Sequence, residues 1–238
     1  MEIRQKLIDG CNQINIGLDE TMAEQLIRYK EILLEYNKVM NLTAIVDDIE
    51  VITKHLIDSL IILKYVDLSN KKIIDVGTGA GFPGLPIKIA NPSIIITLMD
   101  STGKKINFLQ EVINKLGLKD INLIWGRAED FGTKKEYRET YDFCVSRAVA
   151  NLCTLTEYCL PFVQVGGYFV SLKGPNIEEE LAESKSSINT LGGIVERVEK
   201  YQLPFSDIVH SIVFIKKIRQ TPSVYPRKAG KPSKEPIK

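Results

Sequence analysis

The chain has 238 residues, 44% hydrophobic and 26% charged, with four cysteines, two histidines and a formal net charge of +1. Those values suit one large globular domain, alone or with an appendage, and exclude a disulfide scaffold. Cys11, Cys144, Cys153 and Cys159 show no C-x-x-C spacing, so no zinc site is expected, and scattered reduced thiols predict a cytoplasmic protein. The first residues carry charges where a signal peptide needs an apolar run, and no segment reaches the ~18 apolar residues of a membrane helix. Charge is unevenly spread. Residues 216–238 hold eight Lys or Arg against Glu235 alone, +7, leaving −6 on the rest. A basic end on an acidic body predicts a polyanionic partner, although most such runs are simply solvated.

Residues 1–40 read as helical, with Leu26, Ile27, Ile32, Leu33, Leu34 and Tyr36 near helical spacing and Thr21 with Glu24 as a capping box. Asn41-Leu-Thr43 breaks this helix. A second helix is predicted from about Asp48 to Tyr65, with Ile52, Leu56, Leu60 and Leu63 on one side. His55, Asp58 and Ser59 share another of its faces. That face reads either as a substrate wall or, more simply, as a histidine hydrogen-bonded to Asp58 at a packing surface.

From Lys71 strands and helices alternate. Strands are predicted at Ile73–Val76, Ile94–Asp100, Ile121–Trp125, Tyr141–Arg147 and Gly167–Leu172. Helices follow near Pro83, over Lys104–Leu116 up to Gly117, after Arg147 through Leu160, and over Glu178–Thr190. Two last strands, Ile194–Gln202 and Ser211–Ile218, are joined by a turn short enough to make them antiparallel. The alternation implies an α/β, doubly wound, mostly parallel sheet with right-handed crossovers. The boundaries that follow are 1–66 for an N-terminal helical segment packed on the core, 67–218 for a cofactor-binding domain and 219–238 for a basic tail.

The stretch Asp75-Val-Gly-Thr-Gly-Ala-Gly81 leaves the end of the first strand, where open α/β sheets bind ligands. Gly77, Gly79 and Gly81 permit a sharp turn and close backbone approach. A dinucleotide fold prefers G-x-G-x-x-G, whereas here the third glycine comes early and an acid precedes the first. A carboxylate at that point is awkward beside a pyrophosphate and suits a cationic ligand without phosphate, such as S-adenosylmethionine. Asp100, nineteen residues after Gly81 at the end of the second strand, is placed to accept ribose hydroxyls. Ala128-Glu129 follows the third strand beside the expected adenine. Arg147 ends the fourth strand at the crevice, where its role rests on position alone.

The same loop, continued by Phe82-Pro-Gly-Leu-Pro86 and preceded by His55-Leu-Ile-Asp-Ser-Leu60, resembles the RsmG (GidB) family of ribosomal RNA methyltransferases. Ser146-Arg-Ala148, Leu172-Lys-Gly174 and Tyr225-Pro-Arg-Lys-Ala-Gly-Lys-Pro-Ser-Lys-Glu-Pro236 strengthen the likeness, which runs from Asn37 to the C-terminus. Ala80 and Phe82 stand where many relatives have Pro and Leu. The resemblance implies a class I S-adenosylmethionine-dependent methyltransferase fold, Rossmann-like with an antiparallel last strand and an N-terminal helical extension, that methylates N7 of one guanine in 16S rRNA. It implies cofactor contacts at Asp75, Gly77, Gly79, Phe82, Asp100, Ser101, Thr102, Ala128, Glu129 and Arg147, with Arg147 also positioning the reacting groups. Substrate contacts are expected at His55, Lys173, Tyr225, Arg227, Lys228 and Lys231, with no metal. Asp in place of Gly77 is expected to fill the ligand's space, and removal of residues 222–238 to spare the cofactor and weaken RNA binding. A monomer acting on 16S rRNA or the small subunit is expected. The alternatives are a small-molecule or protein methyltransferase, or an assembly factor with a vestigial pocket.

Overall fold

The computed structural model of the protein describes residues 2–147 and 149–237. Seven strands form one sheet: β1 (Lys72–Val76), β2 (Ile95–Asp100), β3 (Ile121–Trp125), β4 (Tyr141–Arg147), β5 (Val163–Lys173), β6 (Gly193–Gln202) and β7 (Val209–Lys217). Their spatial order is β3-β2-β1-β4-β5-β7-β6, with β7 antiparallel to both neighbours and the other pairs parallel. The chain reverses direction outward from β1, which leaves a crevice at the strand ends between β1 and β4, the usual ligand position in such sheets.

Alternation along each strand divides the core into two layers. Ile73, Val145 and Phe214 point to one face, where they join the helices Glu20–Met40, Gly84–Ala90 and Gly103–Leu116. Ile74, Cys144, Val213 and Ile215 point to the other, against the helices Leu152–Cys159 and Glu178–Thr190. Each fully buried aliphatic side chain contributes about 1.5–3 kcal/mol, so covering both faces is what holds the parallel strands. The N-terminal helices share the first layer: Leu7, Leu26, Leu33 and Leu56 belong to the same apolar cluster as the sheet.

Locally the chain departs from the predicted elements in two places. Residues 1–40 are not one helix but two, Glu2–Gln13 and Glu20–Met40, separated by a turn with Asn15 at φ 61°. The cap of the second is Asp19, whose carboxylate accepts from the Met22 amide at 2.7 Å, in place of the Thr21–Glu24 box. Aspartate in extended backbone just before the first turn serves that amide directly. The next helical run, residues 48–64, is π-helical over Ile52–Ile57. The extra residue per turn there re-aims His55 and Asp58, as π segments at functional sites commonly do.

Candidate active site

A cavity of about 550 Å³ opens at the C-terminal ends of β1, β2 and β4, within the usual size of small-molecule sites. Gly77 and Gly79 line its floor, and they and Gly81 take left-handed backbone, at φ 73°, 61° and 104°. Gly84 serves packing instead. A Cβ there would stand 2.4 Å from Leu98 and 2.8 Å from the Asp75 carboxylate, so only glycine lets the helix lie against β2.

The loop spends its amides on its own fold. Gly77 and Thr78 donate to the Met99 carbonyl at 2.9 and 3.0 Å, Gly79 to the Asp100 carboxylate at 3.0 Å, and Gly81 and Phe82 to the Thr78 carbonyl at 2.8 and 2.9 Å. A phosphate-binding loop turns such groups toward the ligand. This one faces the cavity with bare glycine and with Asp100, a surface suited to hydroxyls and cationic groups.

Of the residues expected to meet cofactor, Gly77, Gly79, Phe82, Asp100, Ser101, Thr102, Ala128, Glu129 and Arg147 line this cavity, and His55 joins them from the N-terminal region. Asp100 accepts from Thr102 N (2.9 Å) as well as Gly79 N, and Lys105 lies 3.4 Å away, which keeps its carboxylate fixed at the cavity edge. Glu129 is buried and accepts the Gly230 amide at 2.8 Å.

Asp75 is different. It is fully buried and absent from the cavity wall; one oxygen accepts from Thr78 Oγ1 (2.7 Å) and Gly84 N (2.8 Å), and the other has no partner. Burial raises its pKa to about 7. The carboxyl therefore fastens the loop rather than facing a cationic ligand. Likewise, a Cβ at Gly77 would meet Val149 Cγ2 at 2.5 Å, so a side chain there displaces Val149 first rather than ligand.

Arg147 stands at the mouth. It donates to the Lys54 carbonyl (3.0 Å) and to Asp58 (2.9 Å), and its guanidinium sits 5.0 Å from the Phe82 ring centre. Asp58 also accepts from Tyr201 Oη and is bonded to His210 Nδ1, both at 2.8 Å. The predicted His55–Asp58 bond is thus absent, and His210 takes that place. His55 turns instead to Thr43 Oγ1 (2.8 Å) and stacks on Phe82, ring centres 4.7 Å apart. Burial and then the Arg147 charge lower its pKa to about 4, so the imidazole is neutral at physiological pH.

The expected RNA contacts fare unevenly. Lys173 is engaged with the Ala150 carbonyl (2.7 Å) and Glu180 (2.6 Å), where it braces the loop after β4. Arg227 grips Glu157, itself buried, with Nε at 2.9 and 3.1 Å and an Nη at 2.6 Å. Tyr225 packs half-buried on the second apolar layer, and Arg138 ties down the carbonyls of Thr221, Pro222 and Tyr225. The tail is therefore seated on the body, with Lys228 and Lys231 exposed outward. The expectation treats its cations as one set; the buried Glu157 divides them into an anchor, Arg227, and the exposed charges Lys228 and Lys231, the latter 3.6 Å from Glu235.

Leu42 and Thr43, read in sequence only as a helix break, form part of the cavity wall. Asn37 Oδ1 accepts both their amides (2.6 and 2.9 Å) and its Nδ2 donates to the Thr43 carbonyl (2.9 Å). An asparagine one turn before a helix end followed by Asn-Leu-Thr was the available signal.

A larger apolar groove of about 1410 Å³ lies between the helix Glu178–Thr190 and β6, away from the glycine loop and the strand-end acids. No group of three or more His, Cys, Asp or Glu that could hold a metal occurs among the described residues. No described helix is long and apolar enough to cross a membrane.

The model of the family GidB, rRNA small subunit methyltransferase G, matches residues 22–209. The chain belongs to the GidB family. It is 55% identical over 239 residues to the ribosomal RNA small subunit methyltransferase G of Alkaliphilus oremlandii, with all of both chains covered. To that of Acetivibrio thermocellus it is 50% identical over 237 residues, 100% of this chain and 98% of the other. Among solved structures it is similar to a SAM-dependent O-methyltransferase from Thermotoga maritima (TM-score 0.54, 16% identity, 79% of this chain and 72% of that one). A SAM-dependent methyltransferase from Aquifex aeolicus is similar at TM-score 0.51 and 22% identity, over 68% and 90% of the two chains. These two establish the fold, a class I methyltransferase sheet. The GidB family membership rests on the sequence.

Proposed function

We propose that this protein is an S-adenosylmethionine-dependent methyltransferase acting on N7 of a guanine in 16S rRNA, as a monomer in the cytoplasm. The observation that carries the cofactor reading is the glycine loop, whose amides are consumed internally while a carboxylate, Asp100, borders the cavity. That surface rejects a pyrophosphate and accepts a ribose with a cationic tail. Bound there, S-adenosylmethionine supplies an electrophilic methyl group on sulfonium.

Asp100 would take the ribose hydroxyls, Ser101, Ala128 and Glu129 the adenine side, and Gly77, Gly79 and Phe82 the methionine side. Guanine N7 carries a free in-plane lone pair at neutral pH, so its methylation needs no general base. Accordingly Arg147, tied to Asp58 and the Lys54 carbonyl, is assigned a positioning role, and neutral His55 on Phe82 a wall beside the incoming base. Rate enhancement then comes from alignment of N7, methyl and sulfur.

The deciding experiment is transfer of labelled methyl from S-adenosylmethionine to small subunits, and separately to protein-free 16S rRNA, from cells lacking the protein. Label confined to one guanine and stable to reduction-free nuclease mapping as the N7-methyl nucleoside is expected. Cofactor binding without incorporation into either substrate would overturn the proposal.

A further inference from the structure

Trp125 is the chain's only tryptophan, and it lies on the surface. It ends the edge strand β3 and is 70% exposed, although indole is a side chain that normally buries a large apolar area. It is nonetheless held in place. Its Nε1–H donates to the Ser101 carbonyl at 3.2 Å, and its ring lies against Gly103, where an added Cβ would come within 3.0 Å of ring atoms. One part of the indole is seated on bare backbone and the rest is open.

The setting is cationic and adjoins the cavity. Ser101 and Arg127 both line the cavity, and Arg127, two residues after the tryptophan, is exposed with no ion pair among the described residues. Lys104, next to Gly103, is exposed and fixed by donation to the Met40 carbonyl at 3.0 Å.

We propose that Trp125 is a stacking platform for a flanking base of the single-stranded RNA where it crosses the β3 side of the cavity, away from the methylated base itself, with Arg127 and Lys104 meeting the adjoining phosphates. This rests on the RNA-substrate reading above and adds the place where the strand crosses the rim. A fixed aromatic face near cations that have no carboxylate partner among the described residues is an arrangement that binds unpaired nucleotides: every base offers a π-face, and the charges follow the backbone. A protein partner covering the same patch would have to bury two cations against matching carboxylates, a costlier match.

As the sole tryptophan, Trp125 reports on its own contacts. Titrating the full-length protein, already saturated with S-adenosylhomocysteine, with protein-free 16S rRNA is expected to quench its emission along the isotherm seen by filter binding. Trp125→Ala is expected to raise KM for that RNA about tenfold, the worth of one stacked base, with kcat and S-adenosylhomocysteine affinity within about twofold. Trp125→Phe restores most of the loss. RNA that binds without altering the emission, or an unchanged KM in Trp125→Ala, overturns the platform and leaves the methyltransferase reading intact. Quenching by isolated small-subunit proteins and not by RNA overturns it in favour of a protein-docking patch. If the protein neither binds nor methylates RNA, the platform falls together with the reading beneath it.

Discussion

Asp58 and Arg147 are 89 positions apart in the chain and 2.9 Å apart in the fold. Asp58 is buried and spends one oxygen on the guanidinium and the other on Tyr201 and His210, so a single carboxylate joins the π-helical segment, β4, β6 and β7 at the cavity mouth. Removing one member of a buried pair costs about 3–5 kcal/mol, because the partner charge is left without compensation. Asp58→Ala is therefore expected to lose stability of about that size in urea unfolding. Asp58→Asn is expected to lose less stability, yet its kcat should fall by about 10–100-fold as Arg147 shifts. Wild-type kcat in Asp58→Asn would show that Arg147 needs no fixing.

Asp75 makes a prediction of opposite character. The loop needs its oxygen as an acceptor for Thr78 and Gly84, so Asp75→Asn should bind S-adenosylhomocysteine far better than Asp75→Ala in calorimetry. The folded pKa, about 7, lies above the unfolded value near 3.9. The fold thus holds a proton that the unfolded chain releases, and the associated stability is present at low pH and lost as pH rises through about 7. The stability of Asp75→Asn relative to wild type should improve between pH 5 and pH 8 in paired urea titrations.

His55 titrates with the other sign. Its folded pKa of about 4 lies below the unfolded value near 6.5, so the unfolded chain takes up a proton that the fold refuses. Stability from this group is full above about pH 6.5 and declines as pH falls toward 4. The His55 ring resonances in NMR should stay constant from pH 6 to 8 and begin to move only near pH 4–5. His55→Gln should flatten the acid side of the stability profile.

The seated tail reverses the expectation that residues 222–238 are dispensable for the cofactor. Truncation would leave Glu157 without Arg227 and Glu129, in the cavity wall, without the Gly230 amide. A Tm lower by on the order of 10 °C and weaker S-adenosylhomocysteine binding are expected, read by calorimetry. The double variant Lys228→Ala with Lys231→Ala removes only outward charges and one exposed ion pair, Lys231 with Glu235, of little worth to stability. It should keep both properties while the slope of log K against log salt for RNA becomes shallower by about 1.4.

Local pattern carried the strands, the crossovers and the acid-ended glycine loop, because apolar runs and glycine spacing are short-range properties of the chain. Asp100, Ala128, Glu129 and Arg147 were legible as cavity residues for the same reason: each sits at a strand end that the pattern already marked, whereas Ser101 was implied only by the family resemblance. What a charged side chain does once there was decided elsewhere. Lys173 and Arg227 read as free cations until folding set Glu180 and Glu157 beside them, 7 and 70 residues away. Asp58 met Arg147, Tyr201 and His210 in place of His55 because the π-helical turn re-aimed it and three strands converged on it. Sequence alone determined where the glycine loop and the strand-end crevice lie, since backbone geometry there follows from residue type. Only tertiary structure decided which charges remain exposed beside that crevice, since burial forces each enclosed charge to find a partner wherever the fold supplies one, near or far along the chain.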